Sequence, residues 1–167
     1  TELRIFMTCS GHLFPGGNTL DQIYMKDLDN LANNAVIISS NDGMNQMAYR
    51  CIDPVASPDG EKVAFACKQS VVSRAQVYVK DITDLSSTVQ LVSTIDGATQ
   101  ATDDCGGLNW APNSEDLFFY TGAGNFPSAN GHNQIYRKSL SALTDPPHLI
   151  SGLDATTAGS GGSATFG

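Results

Sequence analysis

Three short runs, Gln22-Ile23-Tyr24, Gln76-Val77-Tyr78 and Gln134-Ile135-Tyr136, punctuate this chain at separations of 54 and 58 residues. Other landmarks keep the same step: Cys51 and Cys105 lie 54 residues apart, and so do Pro58 and Pro112. Self-similarity at such a period means a chain built from stacked supersecondary units, so the first question is what one unit folds into.

The stretch from Cys51 to Asp81 shows one unit in full. Two apolar runs flank Ser57-Pro58-Asp59-Gly60, and Ala75 to Ile82 supplies a third. Pro presets φ for the start of a tight turn, Asp bonds its own backbone, and Gly accepts a positive φ, so the four residues predict a hairpin. Period-2 and β-rich runs predict strands at Thr1 to Thr8, Asp21 to Leu28 and Ala35 to Ser39 in the first unit. In the second they fall at about Cys51 to Ala56, Lys62 to Cys67, Ala75 to Ile82 and Thr88 to Thr94, and in the third at Cys105 to Ala111, Asp116 to Thr121, Asn133 to Leu140 and His148 to Ser151. In the first strand Leu3, Ile5 and Met7 alternate with Glu2, Arg4 and Phe6. Asn41-Asp42-Gly43 and Asp96-Gly97 mark the turns between units. Sixteen glycines and seven prolines in 167 residues suit many short strands rather than helices. The fold class expected is all-β, with four-stranded antiparallel units recurring as blades of a β-propeller.

The Ser57-Pro58-Asp59-Gly60 turn, the following Lys62-Val63-Ala64-Phe65 and the later Gln76-Val77-Tyr78-Val79-Lys80-Asp81 resemble the TolB-like, WD40-like β-propeller repeat family. The resemblance spans all three units; the third departs at its turn, where Pro112-Asn113-Ser114 stands in place of Pro-Asp-Gly. It implies blades at about 1–43, 44–97 and 98–152, with 153–167 as the first strand of a further blade. Such propellers are common in exported proteins and in the accessory domains of hydrolases, so the resemblance implies a fold more than an activity. An extracellular or periplasmic location is expected with it.

The chain starts where a second blade strand is due, and Gly162 to Gly167 resembles Gly107 to Ala111, a first strand. The expectation is an incomplete ring, closed by another copy or by further sequence, because propellers generally need four to eight blades. The partners expected are therefore a protein or further copies of the chain. A net charge of -8 argues against nucleic acid and anionic membranes, and no run of about 18 apolar residues is present to insert in a bilayer.

Four cysteines, Cys9, Cys51, Cys67 and Cys105, are spaced too widely for a zinc or redox motif and suit two disulfides. One arrangement pairs Cys51 with Cys67 across the hairpin and leaves Cys9 and Cys105 free. The other joins adjacent blades, Cys9 with Cys51 and Cys67 with Cys105; it uses all four residues and is the one expected.

Chemistry-bearing residues are sparse. His12 and Phe14 sit in one second-to-third strand loop, Phe126 and His132 in another, which makes these four the candidate ligand-contacting residues. Asp103 with Asp104 and Asp27 with Asp29 read as turn and surface acids, and Trp110 as packing. No Gly-x-Ser-x-Gly elbow, haem motif or phosphate cradle is found, so neither catalysis nor a cofactor or metal is expected. The function expected is a non-catalytic interaction or assembly module. A filament subunit joined by strand completion and an accessory propeller of a larger secreted enzyme are the alternatives.

Overall fold

A computed structural model describes residues 3–10 and 19–152. These form three antiparallel sheets in chain order. The first holds β1 (Arg4–Ser10), β2 (Asp21–Asp27) and β3 (Val36–Ile37). The second holds β4 (Arg50–Ala56), β5 (Lys62–Lys68), β6 (Gln76–Asp81) and β7 (Gln90–Leu91). The third holds β8 (Cys105–Trp110), β9 (Asp116–Thr121), β10 (Gln134–Ser139) and β11 (His148–Leu149), with a single 3-10 turn at Leu140–Ala142. Within each sheet every strand pairs with its sequence neighbour, as short connections dictate. The four-strand expectation for the first unit rests on residues 153–167 and lies outside the described residues.

The sheets share one register. Opposite the central lysines Lys26, Lys80 and Lys138 stand Ile5, Val63 and Leu117, and opposite Tyr24, Tyr78 and Tyr136 stand Met7, Phe65 and Phe119. The second sheet lies between the other two, so Val63 to Cys67 are all buried, and β5 reads as an unbroken apolar run.

The recurring glutamine has a specific partner. Ser39 Oγ donates to Gln22 Oε1 (2.6 Å), Ser93 Oγ to Gln76 Oε1 (2.7 Å) and Ser151 Oγ to Gln134 Oε1 (2.6 Å). The same hydroxyls accept the backbone N–H of Ile23, Val77 and Ile135, each at 2.9 Å. Gln22 Nε2 and Gln76 Nε2 then donate to the Met47 (3.1 Å) and Ala101 (3.0 Å) carbonyls in the linkers to the next unit. Buried amides hold their place only when satisfied, which ties the third strand, the fourth strand and the linker together.

This network also shortens the fourth strands, which stop after two residues instead of extending as the sequence predicts. Ile38 and Ser39 both donate to the Ile23 carbonyl (2.8 and 3.4 Å), and Val92 and Ser93 share that of Val77 in the same way. A shared acceptor ends the ladder there, and the serine hydroxyl takes over the next donor.

In the second unit's turn Gly60 adopts φ +75° and donates to the Ser57 carbonyl (2.9 Å). The third unit places Ser114 at this position with φ +56°, strained for a residue bearing Cβ. Its hydroxyl accepts the Asp59 N–H of the neighbouring unit (3.0 Å), a cross-unit bond that glycine has no side chain to make.

The disulfide expectation is corrected. Cys51 and Cys67 are direct register partners, with Cα atoms 4.1 Å apart, and are joined; Cys9 and Cys105 are free. Opposed residues on paired strands point to the same side of a sheet. Both sulfurs therefore lie toward the first unit, whereas Cys105 belongs to the apolar cluster between the second and third. A Cys67–Cys105 bridge would have to cross the second sheet.

Candidate functional site

No side-chain constellation dominates the described residues; the feature that repeats is the junction between units. At the first junction Ile23 and Ile38 pack with Cys51, Val63, Phe65 and Tyr78. At the second Val77 and Val92 pack with Cys105, Leu117, Phe119 and Tyr136, the register equivalents in order. A preceding unit thus contributes residues of its third strand and of the segment just after its fourth, and a following unit residues of its first three strands.

A buried lysine crosses each junction. Lys80, fully enclosed, donates to the Ser40 carbonyl of the first unit (3.0 Å) and to the Leu85 (2.8 Å) and Ser87 carbonyls of its own loop. Lys138 repeats this with the Thr94 carbonyl of the second unit (2.9 Å) and that of Asp145. Burial pushes both ammonium groups below the usual lysine range. The carbonyl cradles supply the compensation that a buried charge requires. The sequence signal that marks these lysines is a Lys two residues after each Gln-x-Tyr tyrosine, at Lys26, Lys80 and Lys138.

Backbones approach closely here too. A Cβ on Gly43 would sit 2.6 Å from the Leu85 oxygen across the first junction, which with φ +73° explains the glycine. Polar contacts close the rims: Arg50 pairs with Asp21 (2.6 Å), the Trp110 indole N–H donates to the Val55 carbonyl (3.0 Å), and Lys62 pairs with Glu115 (3.3 Å). Trp110 is buried, as a packing residue is.

Among the described residues, the first and third units each present half of such a junction on one face. Ile5 is 44% exposed where its counterparts Val63 and Leu117 are 0%. Ile150, in the position of Ile38 and Val92, both 0%, is 46% exposed. Lys26 has its own-loop acceptors, the Leu31 (2.9 Å) and Asn33 carbonyls, but among the described residues no carbonyl from a preceding unit.

Between the second and third units lies an open cleft of about 250 Å³, lined by Arg50, Asp53, Lys68, Asp104, Cys105 and Tyr120 among others. Its charges are largely paired: Lys68 Nζ is 3.2 Å from Asp104 Oδ1, which also accepts the Ala75 N–H (2.6 Å), and Arg74 lies 3.3 Å from Asp103. The Ala75 N–H in particular holds the Asp104 carboxyl below its usual value. Cys67 is oxidised, and burial pushes the Cys105 thiol up to about 12. No cluster of three or more His, Cys, Asp or Glu suited to a metal occurs among the described residues, and no helix there is long and apolar enough to cross a membrane.

Of the four candidate ligand-contacting residues, Phe126 and His132 lie among the described residues. His12 and Phe14 fall outside the described residues. Phe126 is buried, its ring edge-on to Phe119 (6.1 Å) and Tyr136 (5.2 Å), and packs within the third unit. His132 is exposed in the turn after Asn130, whose side chain accepts its N–H (3.1 Å). Asp27 accepts the N–H groups of Asp29 (2.8 Å) and Asn30 (3.3 Å), a turn role.

No protein-family model and no curated protein sequence matches the chain.

Proposed function

We propose that the chain is an arc of three β-propeller blades of the TolB-like, WD40-like kind, exported, and working as a non-catalytic module for protein interaction and assembly. The observation that carries this reading is the repetition of one junction between consecutive sheets, together with its two uncovered halves at Ile5 and Ile150. A blade covered on both faces, as the second is, buries its apolar residues. Among the described residues the first and third units each leave one such face in water, and exposed apolar surface of that kind is where proteins associate. The Cys51–Cys67 disulfide supports export, since such bonds persist in oxidising compartments. The acidic composition supports a protein partner over nucleic acid.

Native mass by light scattering tests the reading. A species heavier than the 17.6 kDa chain is expected, growing with concentration. A strict monomer throughout the micromolar range would overturn self-assembly as the role.

A further inference from the structure

Resting on that assembly reading, we propose that the partner is a second copy of this chain, joined head to tail: the outer face of the first unit docks on the outer face of the third unit of another molecule. The two faces are the separated halves of the junction the molecule already builds twice.

The match holds residue by residue. A following unit offers an aliphatic residue opposite its lysine, filled by Val63 and Leu117 and, on the free face, by Ile5. A preceding unit offers an aliphatic residue just after its fourth strand, filled by Ile38 and Val92 and, on the free face, by Ile150. The next residue but one supplies the carbonyl that receives the lysine, as Ser40 and Thr94 do; the third unit presents Gly152 there, directly after the Ser151 that bonds Gln134. Lys26 already has two carbonyl partners in the positions of those that Lys80 holds, with the acceptor from a preceding unit still to be supplied. Docking would bring Lys26 Nζ to the Gly152 oxygen and enclose Ile5 and Ile150, now 44% and 46% exposed, as their counterparts are enclosed at 0%. Leu31, 67% exposed, would be covered like its half-buried equivalents Leu85 and Leu143. The contact is heterologous, since each face binds the other and neither binds itself, so copies join into a closed ring or an open chain.

The asymmetry supplies the test. Ile5→Glu and Ile150→Glu alter exposed side chains and leave the interior of the fold intact. Each spoils one face, so each variant alone is expected at the monomer mass, while an equimolar mixture is expected to form a one-to-one complex of twice that mass through the single intact pair of faces. Sedimentation velocity reads all three samples beside the wild type. A mixture that stays monomeric, or single variants that still associate like wild type, would overturn the head-to-tail contact and leave the assembly reading standing. A wild type that never exceeds monomer mass would remove both.

Discussion

Gly43 offers the sharpest check on the junction. Gly43 at φ +73°, Gly60 at +75° and Gly97 at +87° are three of the five described glycines with a left-handed backbone. Alanine at any of them meets the same conformational penalty, about 1–2 kcal/mol for an L-residue in that region. Their surroundings differ. Around Gly60 a new Cβ meets nothing within 4 Å, and at Gly97 its nearest contact is the Leu143 oxygen at 3.6 Å, ordinary van der Waals distance. At Gly43 it falls 2.6 Å from the Leu85 oxygen and 3.0 Å from the Leu85 carbonyl carbon. These are backbone atoms that no rotamer change can move. The first junction must open, at an overpacking cost of roughly 1–3 kcal/mol on top of the conformational one. Gly43→Ala is therefore expected to lose roughly 2–5 kcal/mol, against roughly 1–2 for Gly60→Ala and Gly97→Ala. With a urea slope of about 2 kcal/mol/M, the midpoint falls by roughly 1–2.5 M for the first and by roughly 0.5–1 M for the others. Unfolding followed by far-UV circular dichroism at one protein concentration measures this, with equal slopes confirming a common denatured state. Coincident midpoints for Gly43→Ala and Gly60→Ala would refute the close approach of the first two units.

Asp96 gives a pH-dependent expectation: its carboxylate accepts the N–H groups of Ala98 (2.9 Å) and Thr99 (2.6 Å) and the Thr99 hydroxyl (2.8 Å), which lower its pKa from 3.8 to about 2. A folded-state value below the unfolded one means stability that is fully present above pH 3.8 and lost as pH falls toward about 2. The thermal midpoint of the wild type should then drop more steeply below about pH 4 than that of Asp96→Asn, and parallel curves would sink the assignment. For the cysteines, peptide mapping without reduction should recover Cys51 linked to Cys67. In the folded protein a thiol reagent should label Cys9 and spare Cys105 until denaturant is added, because Cys105 is 3% exposed and its thiol is pushed up to about 12. A Cys9–Cys51 or Cys67–Cys105 peptide would contradict the strand register.

Much of the architecture could be read before any coordinates, because its determinants are local. Turn residues act through their own φ, strand residues through the alternation of a pleat, and the Gln-x-Tyr period through simple recurrence; the second and third strands of the second and third units consequently fall within one residue of their expected bounds, whereas the first unit's second strand, expected from Thr1, begins at Arg4. The fourth strands stop short of the bounds the sequence predicts because their end is set by one carbonyl shared between two donors, a contact with the third strand. The inward packing of Phe126 likewise depends on the rings of Phe119 and Tyr136, which its own loop sequence does not indicate.

The cysteines and lysines mark the boundary most clearly. Counting positions favoured bridges between units, since that scheme used every sulfur. The register instead opposes Cys51 to Cys67 and turns Cys105 toward a different junction. Lys80 and Lys138 recur visibly in the sequence, yet only the placement of one sheet against the next shows that each spans two units to reach a carbonyl. From the sequence alone came the all-β class, the number of units and the turns, all properties of backbone chemistry over a few residues. The tertiary structure alone decided which thiols pair, where the buried charges go and which apolar residues remain in water, because those depend on how one sheet is placed against the next.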